Sequence, residues 1–129
     1  MNEDTTYSAR IKLARDALKS LSSIYADAVD QIKIQEAATQ DILHQMELGS
    51  YEQGRKYYGR LRKVRKRRRE SKDTTEILES FNALISSEHG IKFMRQLDEV
   101  LGSTRKKEIT MKNRHYNPKY FKSLPISED

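Results

Sequence analysis

The chain has no cysteine and no tryptophan, which excludes disulfides, thiolate metal centres and a cysteine nucleophile. Only two prolines and five glycines interrupt 129 residues. No apolar run approaches the roughly 18 residues of a membrane span. The opening Met1-Asn2-Glu3-Asp4-Thr5-Thr6 is acidic and polar, unlike a secretory signal. There is no phosphate loop, dinucleotide turn or nucleophile elbow. His44, His89 and His115 have no His or Cys three or four positions away, so no metal site is expected. Asp41 and Glu47 share a helix face with His44, but a hydrogen-bonded surface histidine is the plainer expectation. Nothing in the sequence argues for catalysis, so a non-enzymatic protein without a cofactor is expected, in the cytoplasm.

What the chain does have is charge and heptads. Charged residues make up 34% and hydrophobic ones 36%, with a mean hydropathy of −0.89, which suits long helices and coiled coils. From Tyr7 the positions 7, 11, 14, 18, 21, 25, 28, 32, 35, 39, 42 and 46 alternate steps of four and three. They hold Tyr, Ile, Ala, Leu, Leu, Tyr, Ala, Ile, Gln, Thr, Ile and Met. Only Gln35 and Thr39 break that apolar seam. The spacing predicts one helix of about 40 residues, capped at Thr5 or Thr6. Gly49 is expected to end it as a left-handed glycine, and Ser50-Tyr51-Glu52-Gln53 reads as a capping box that starts a second helix. So short a connection folds the helices back on each other.

The second helix repeats the four-three spacing through Gly54, Tyr57, Leu61, Val64, Arg68, Ser71, Thr75 and Leu78. Asp73-Thr74 leaves open whether it is one helix or two. Glu88-His89-Gly90 reads as a break, followed by a short helix over Ile91–Leu101 closed by Gly102. The expected fold is all-α: a long antiparallel helical hairpin, coiled-coil-like, with a short third helix and an extended C-terminal tail. Residues 1–102 form the hairpin domain and 103–129 a basic, aromatic tail. The seam of the first helix outruns the apolar part of the second. Its uncovered half, around Leu18 to Ile32, requires the third helix or a second copy, so a homo-oligomer is expected.

Between Arg60 and Arg69 lie eight cations. Like charges this close repel by a few tenths of a kcal/mol per helical pair. In the hairpin, residues 27–47 face 51–71. The first segment carries Asp27, Asp30, Glu36, Asp41 and Glu47 against Lys33. The second carries ten cations from Arg55 to Arg69 against Glu52 and Glu70. Interhelical ion pairs are expected to absorb about half of the positive charge, with Arg68 facing Asp27 or Asp30, and about four cations are left over. These point to nonspecific nucleic-acid binding through Arg62, Lys63, Lys66, Arg67 and Arg69. Tyr57 belongs to the seam. Tyr116, Tyr120 and Phe121 in the basic tail are the candidate partner-binding residues.

The segments Gln40–Glu47, Glu52–Lys56, Leu61–Arg69 and Lys72-Asp73 resemble a set of small proteins from phages and prophages of Gram-positive bacteria. That set shares a D-I-L-H-x-x-E pattern and a basic R-K-x-R-R-x-x-K-D segment, and Tyr116-Asn117-Pro118 fits its C-terminal Tyr-x-Pro. The match covers roughly residues 38–73 well, and Thr74-Thr75 departs from it. The resemblance implies origin rather than activity, with the host cytosol as the place of action. By analogy with small accessory phage proteins, the alternative function is stoichiometric binding of a host or defence protein, or sequestration of a signalling nucleotide.

Overall fold

The structure, a computed structural model, describes residues 6–114. Among them are four helices and no strand: α1 (Tyr7–Leu48), α2 (Tyr51–Ile77), α3 (Glu79–Ser86) and α4 (Glu88–Lys112). The fold is all-α and α1 and α2 pack as an antiparallel hairpin.

The 42 residues of α1 make a rod about 63 Å long. Thr6 caps it, its hydroxyl accepting from the Ala9 amide at 3.2 Å. No acid lies in its first turn. The second orphan amide, Ser8 N–H, instead donates to Glu108 Oε1 of α4 at 2.9 Å, which sets a carboxylate against the positive end of the helix dipole. At the other end the capping box forms as expected. Gln53 N–H donates to Ser50 Oγ at 3.4 Å and Ser50 N–H to Gln53 Oε1 at 3.3 Å. Gly49 is extended rather than left-handed, with φ −93° and ψ 172°. Its lack of a side chain serves close approach, because a Cβ there would lie 2.8 Å from Gln53 Oε1.

α2 buries or half-buries every position of its expected seam from Gly54 to Leu78. It runs unbroken through Asp73–Thr75. Thr74 Oγ1 donates to the Glu70 carbonyl at 3.0 Å and Thr75 Oγ1 to that of Lys72 at 2.8 Å, so both hydroxyls are satisfied inside the helix. On α1, Gln35 does not interrupt the seam: it is buried, and Nε2 donates to Gln31 Oε1 at 3.1 Å. Thr39 Oγ1 donates to the Gln35 carbonyl at 2.8 Å. Polar residues that bond within their own helix can occupy a seam whose partner offers few apolar side chains.

Toward the N-terminus the expected seam slips. Tyr7 and Ala14 are exposed, and Ser8 and Arg15 take their places. A straight helix of 3.6 residues per turn drifts about 20° per heptad against a 3.5 repeat, so the buried face winds around α1. The partner arm follows by breaking at Leu78 and Ser87 and reseating. Ser87 caps α4, its hydroxyl accepting from Gly90 N–H at 3.1 Å and donating to the Leu84 carbonyl. Glu88-His89-Gly90, expected as a break, is the first turn of α4.

α4 then continues through Gly102, which does not close it, to Lys112. Residues 103–112, expected in the tail, are therefore its last turns. Gly90, Met94, Leu97, Leu101, Gly102, Thr104 and Glu108 are its buried and half-buried positions. The register against α1 is set by Arg15 Nη1 to Asp98 Oδ1 at 3.1 Å and by the Ser8–Glu108 bond. The expected uncovered half of the α1 seam is thus filled by α4, and α2 and α4 follow one another along α1 as a second arm, with α3 at the corner between them.

Two glycines of α4 should respond oppositely to alanine. At Gly90 a Cβ would run into the Leu84 and Ile85 carbonyl oxygens, whereas at Gly102 nothing lies within 4 Å. Gly102→Ala should raise the thermal midpoint by a few degrees, for about 1 kcal/mol of helix propensity. Gly90→Ala should lower it, because forcing the α3–α4 corner apart costs about 1–3 kcal/mol. Thermal unfolding followed by circular dichroism measures both.

Candidate nucleic-acid interface

Helix periodicity sorts the cations of α2. The seam positions 54, 57, 61, 64, 68 and 71 face α1, which pushes the residues between them outward. Arg62, Lys63, Lys66, Arg67 and Arg69 are all exposed. At about 100° per residue, Arg62, Lys66 and Arg69 share one arc of the outer surface, while Lys63 and Arg67 lie across its crest.

Arg68 is different. It sits half-buried on the seam and donates from Nε and Nη2 to Glu36 Oε1 at 3.3 and 3.2 Å, so its partner is Glu36 and not Asp27 or Asp30. The register explains this, because Arg68 lies opposite the turn of α1 that contains Glu36, two turns beyond Asp30. Arg68–Glu36 is the only α1–α2 ion pair among the described residues. Asp27, Asp30, Asp41 and Glu47 pair with none of the ten cations between Arg55 and Arg69. The expectation that ion pairs absorb half of the charge is therefore corrected. The narrow seam brings only positions beside it within reach, and the cations on the outer arc point away from α1. Both partners of the one pair are solvated, with side chains 36% and 52% exposed, so it contributes about 0–1 kcal/mol.

A second stripe escaped the sequence reading. Tyr51, Arg55, Tyr58, Arg62, Arg65, Arg69 and Lys72 follow the same four-three alternation, one position out of phase with the seam. Both tyrosines are exposed, Tyr51 at 84%. With Met46, Gly49, Ser50, Gly54 and Arg55 they line an open hollow of about 570 Å³ at the hairpin bend. The signal was present in the spacing but is masked by the stronger apolar seam beside it. Tyr57 lies half-buried on the seam, as expected, and the Arg60 guanidinium stacks over its ring at 5.5 Å. Tyr116, Tyr120 and Phe121 lie outside the described residues. His44 is exposed on α1.

Because nearly all of the α2 cations lack an acidic partner, added salt should stabilise the protein. Raising ionic strength from about 0.01 M to 0.15 M shortens the Debye length from roughly 30 to 8 Å, which screens repulsion along α2. The thermal midpoint should rise over that range. A hairpin held by interhelical ion pairs would show a fall.

Compared with protein-family models, curated proteins and solved structures, the chain has no match, so the geometry of α2 is what a functional reading stands on.

Proposed function

We propose that this chain is a non-enzymatic accessory protein, of phage or prophage type, that binds nucleic acid without sequence preference through the outer surface of α2. The observation that carries the reading is the set of cations from Arg55 to Lys72 held on one rigid helix with a single ion pair among them. That span is about 25 Å long. It carries roughly one cation per 2.5 Å, comparable in density to the one phosphate per 1.7 Å of duplex axis. Condensed counterions on both partners are released when the two meet, and that entropy drives binding. Base-edge readout is not expected, since the stretch from Arg60 to Lys72 holds no Asn or Gln to pair with an adenine edge. The exposed tyrosines continue the basic stripe and supply stacking surfaces beside it, an arrangement suited to single strands. No described helix is long and apolar enough to cross a membrane, which accords with a partner met in solution.

A straight helix offers about half its circumference to one strand, so about four phosphates are contacted at once. The slope of log K against log salt should then be about −3 to −4. Replacing Arg62, Lys66 and Arg69 together by Gln should cut the slope by about two units and weaken all sequences alike, with helicity kept because glutamine is a good helix former. Binding that ignores salt, or that survives the triple change, would move the account to a protein partner. A pull-down with and without nuclease then finds it.

Tyr51→Ala with Tyr58→Ala should weaken single-stranded DNA by about 1–3 kcal/mol per base unstacked while leaving duplex binding nearly unchanged. Fluorescence anisotropy with the two probes measures the difference, and equal loss on both would remove stacking from the mechanism.

A further inference from the structure

The exposed tyrosines of the basic stripe are gathered at one of its ends. Taking Tyr51 as zero and about 100° per residue, Arg55, Tyr58, Arg62, Arg65, Arg69 and Lys72 all lie within roughly 60° of it. The stripe therefore runs straight along one flank of the hairpin, beside the seam. Its two rings stand about 10 Å apart along the axis, next to the bend, and are exposed by 84% and 56%. From Arg62 onward the stripe is Arg62, Arg65, Arg69 and Lys72, none in an ion pair among the described residues. The neighbouring aromatic, Tyr57, is on the seam beneath Arg60.

Two hollows lie on this flank. The first, at the bend, is walled by Met46, Tyr51, Arg55 and Tyr58. Its volume of about 570 Å³ falls within the roughly 300–1,000 Å³ of sites that take small ligands. Flat rings over an apolar floor suit a base, and Arg55 at the edge suits its phosphate. The second hollow, about 560 Å³, lies between Arg65 and Gln40 of α1. Its one acid, Glu36, is engaged by Arg68, which leaves Arg65 to meet a phosphate. Past Tyr51 the basic path stops. The chain turns at Gly49-Ser50, and the last turn of α1 carries no cation and one acid, Glu47.

A strand on the stripe thus finds aromatic surface only for its last few nucleotides, and repulsion if it passes the bend. The cationic remainder suits a duplex better than a single strand, because a duplex presents one phosphate per about 1.7 Å of axis and each strand alone one per about 3.4 Å. We propose that the preferred partner is a duplex with a short unpaired end. The unpaired bases stack on Tyr51 and Tyr58 in the hollow at the bend, and the duplex backbone follows Arg62, Arg65, Arg69 and Lys72. This preference rests on α2 being a nucleic-acid surface, and it specifies the form of nucleic acid taken.

Fluorescence anisotropy at fixed salt with three duplex probes, each longer than the stripe, separates the two. One probe is blunt and one carries three unpaired nucleotides at an end, made in either polarity. The third carries three abasic nucleotides there, which keeps the phosphates and removes the bases. The full overhang should bind about tenfold or more tighter than the abasic one, a gain that two stacked bases suffice to give. Lengthening the overhang beyond three should not widen that gap. Tyr51→Ala with Tyr58→Ala should bring the two overhangs level and leave the blunt duplex unchanged, whereas Tyr51→Phe with Tyr58→Phe should keep the preference. Equal affinity for full and abasic overhangs overturns the preference, while binding of the blunt duplex keeps α2 as a nucleic-acid surface. A gap that survives the alanine pair, or that widens with every added base, overturns it too, because the stacking surface then lies elsewhere. Failure of all three probes to bind removes both.

Discussion

One unbroken helix, α1, is the constraint to which the other elements answer. Forty-two residues without proline or glycine give a rod too long for any single later helix to match, and helices of this polarity gain most of their stability from packing an apolar face. The apolar face is itself thin. Among the described residues, Ala28, Leu61 and Leu101 are the only buried apolar side chains, so the fold is held by a long line of half-buried contacts rather than by a globular core. Each break in the second arm answers to α1. The drift of a heptad pattern on a 3.6-residue helix turns the contact face, and the corner from Leu78 to Ser87 lets α4 pick it up one residue over.

That corner also divides the molecule by chemistry. Beside the C-terminal half of α1 lies α2, whose outer surface is basic and almost without acidic partners. Beside the N-terminal half lies α4, whose register is tied down by Asp98 and Glu108. Arg15 is the hinge point of that half. Its guanidinium donates to the Asp98 carboxylate and to that of Asp16, and these bonds hold its pKa above the ordinary value against partial desolvation. Among the described residues, Arg68–Glu36 is the one comparable tie between α1 and α2. The hairpin itself rests on the seam, the capping box and the short Gly49-Ser50 connection.

Repulsion along α2 is tolerated because the helix does not need its charges to be paired. Arginine and lysine are good helix formers with long stems, and Leu61 and Val64 hold the middle of the helix to α1 from the inner side. An exposed, rigid and uncompensated basic surface costs stability in isolation and gains it on meeting a polyanion. The proposed function follows from that difference.

The local elements were legible in the sequence because each has a short-range cause. Periodicity marked α1 and the α2 seam, Thr6 and the Ser50–Gln53 box marked two starts, and the density of Arg and Lys marked the candidate surface. What the sequence could not decide were matters of phase and partner. Gln35 reads as a fault in the seam until its amide is seen bonded within its own helix. Gly102 reads as a stop, yet the burial of Leu101 and the bond of Glu108 to Ser8 of α1 carry the helix past it. Acidic residues of α1 were counted against the cations of α2, but charge totals do not say which side chains reach each other, and only Glu36 lies in register. The start of α1 is completed by a carboxylate one hundred residues away, at Glu108. Spacing along one chain determined the helices. The winding of one helix around another determined which of their faces were covered, because a shift of one residue turns a side chain by about 100°.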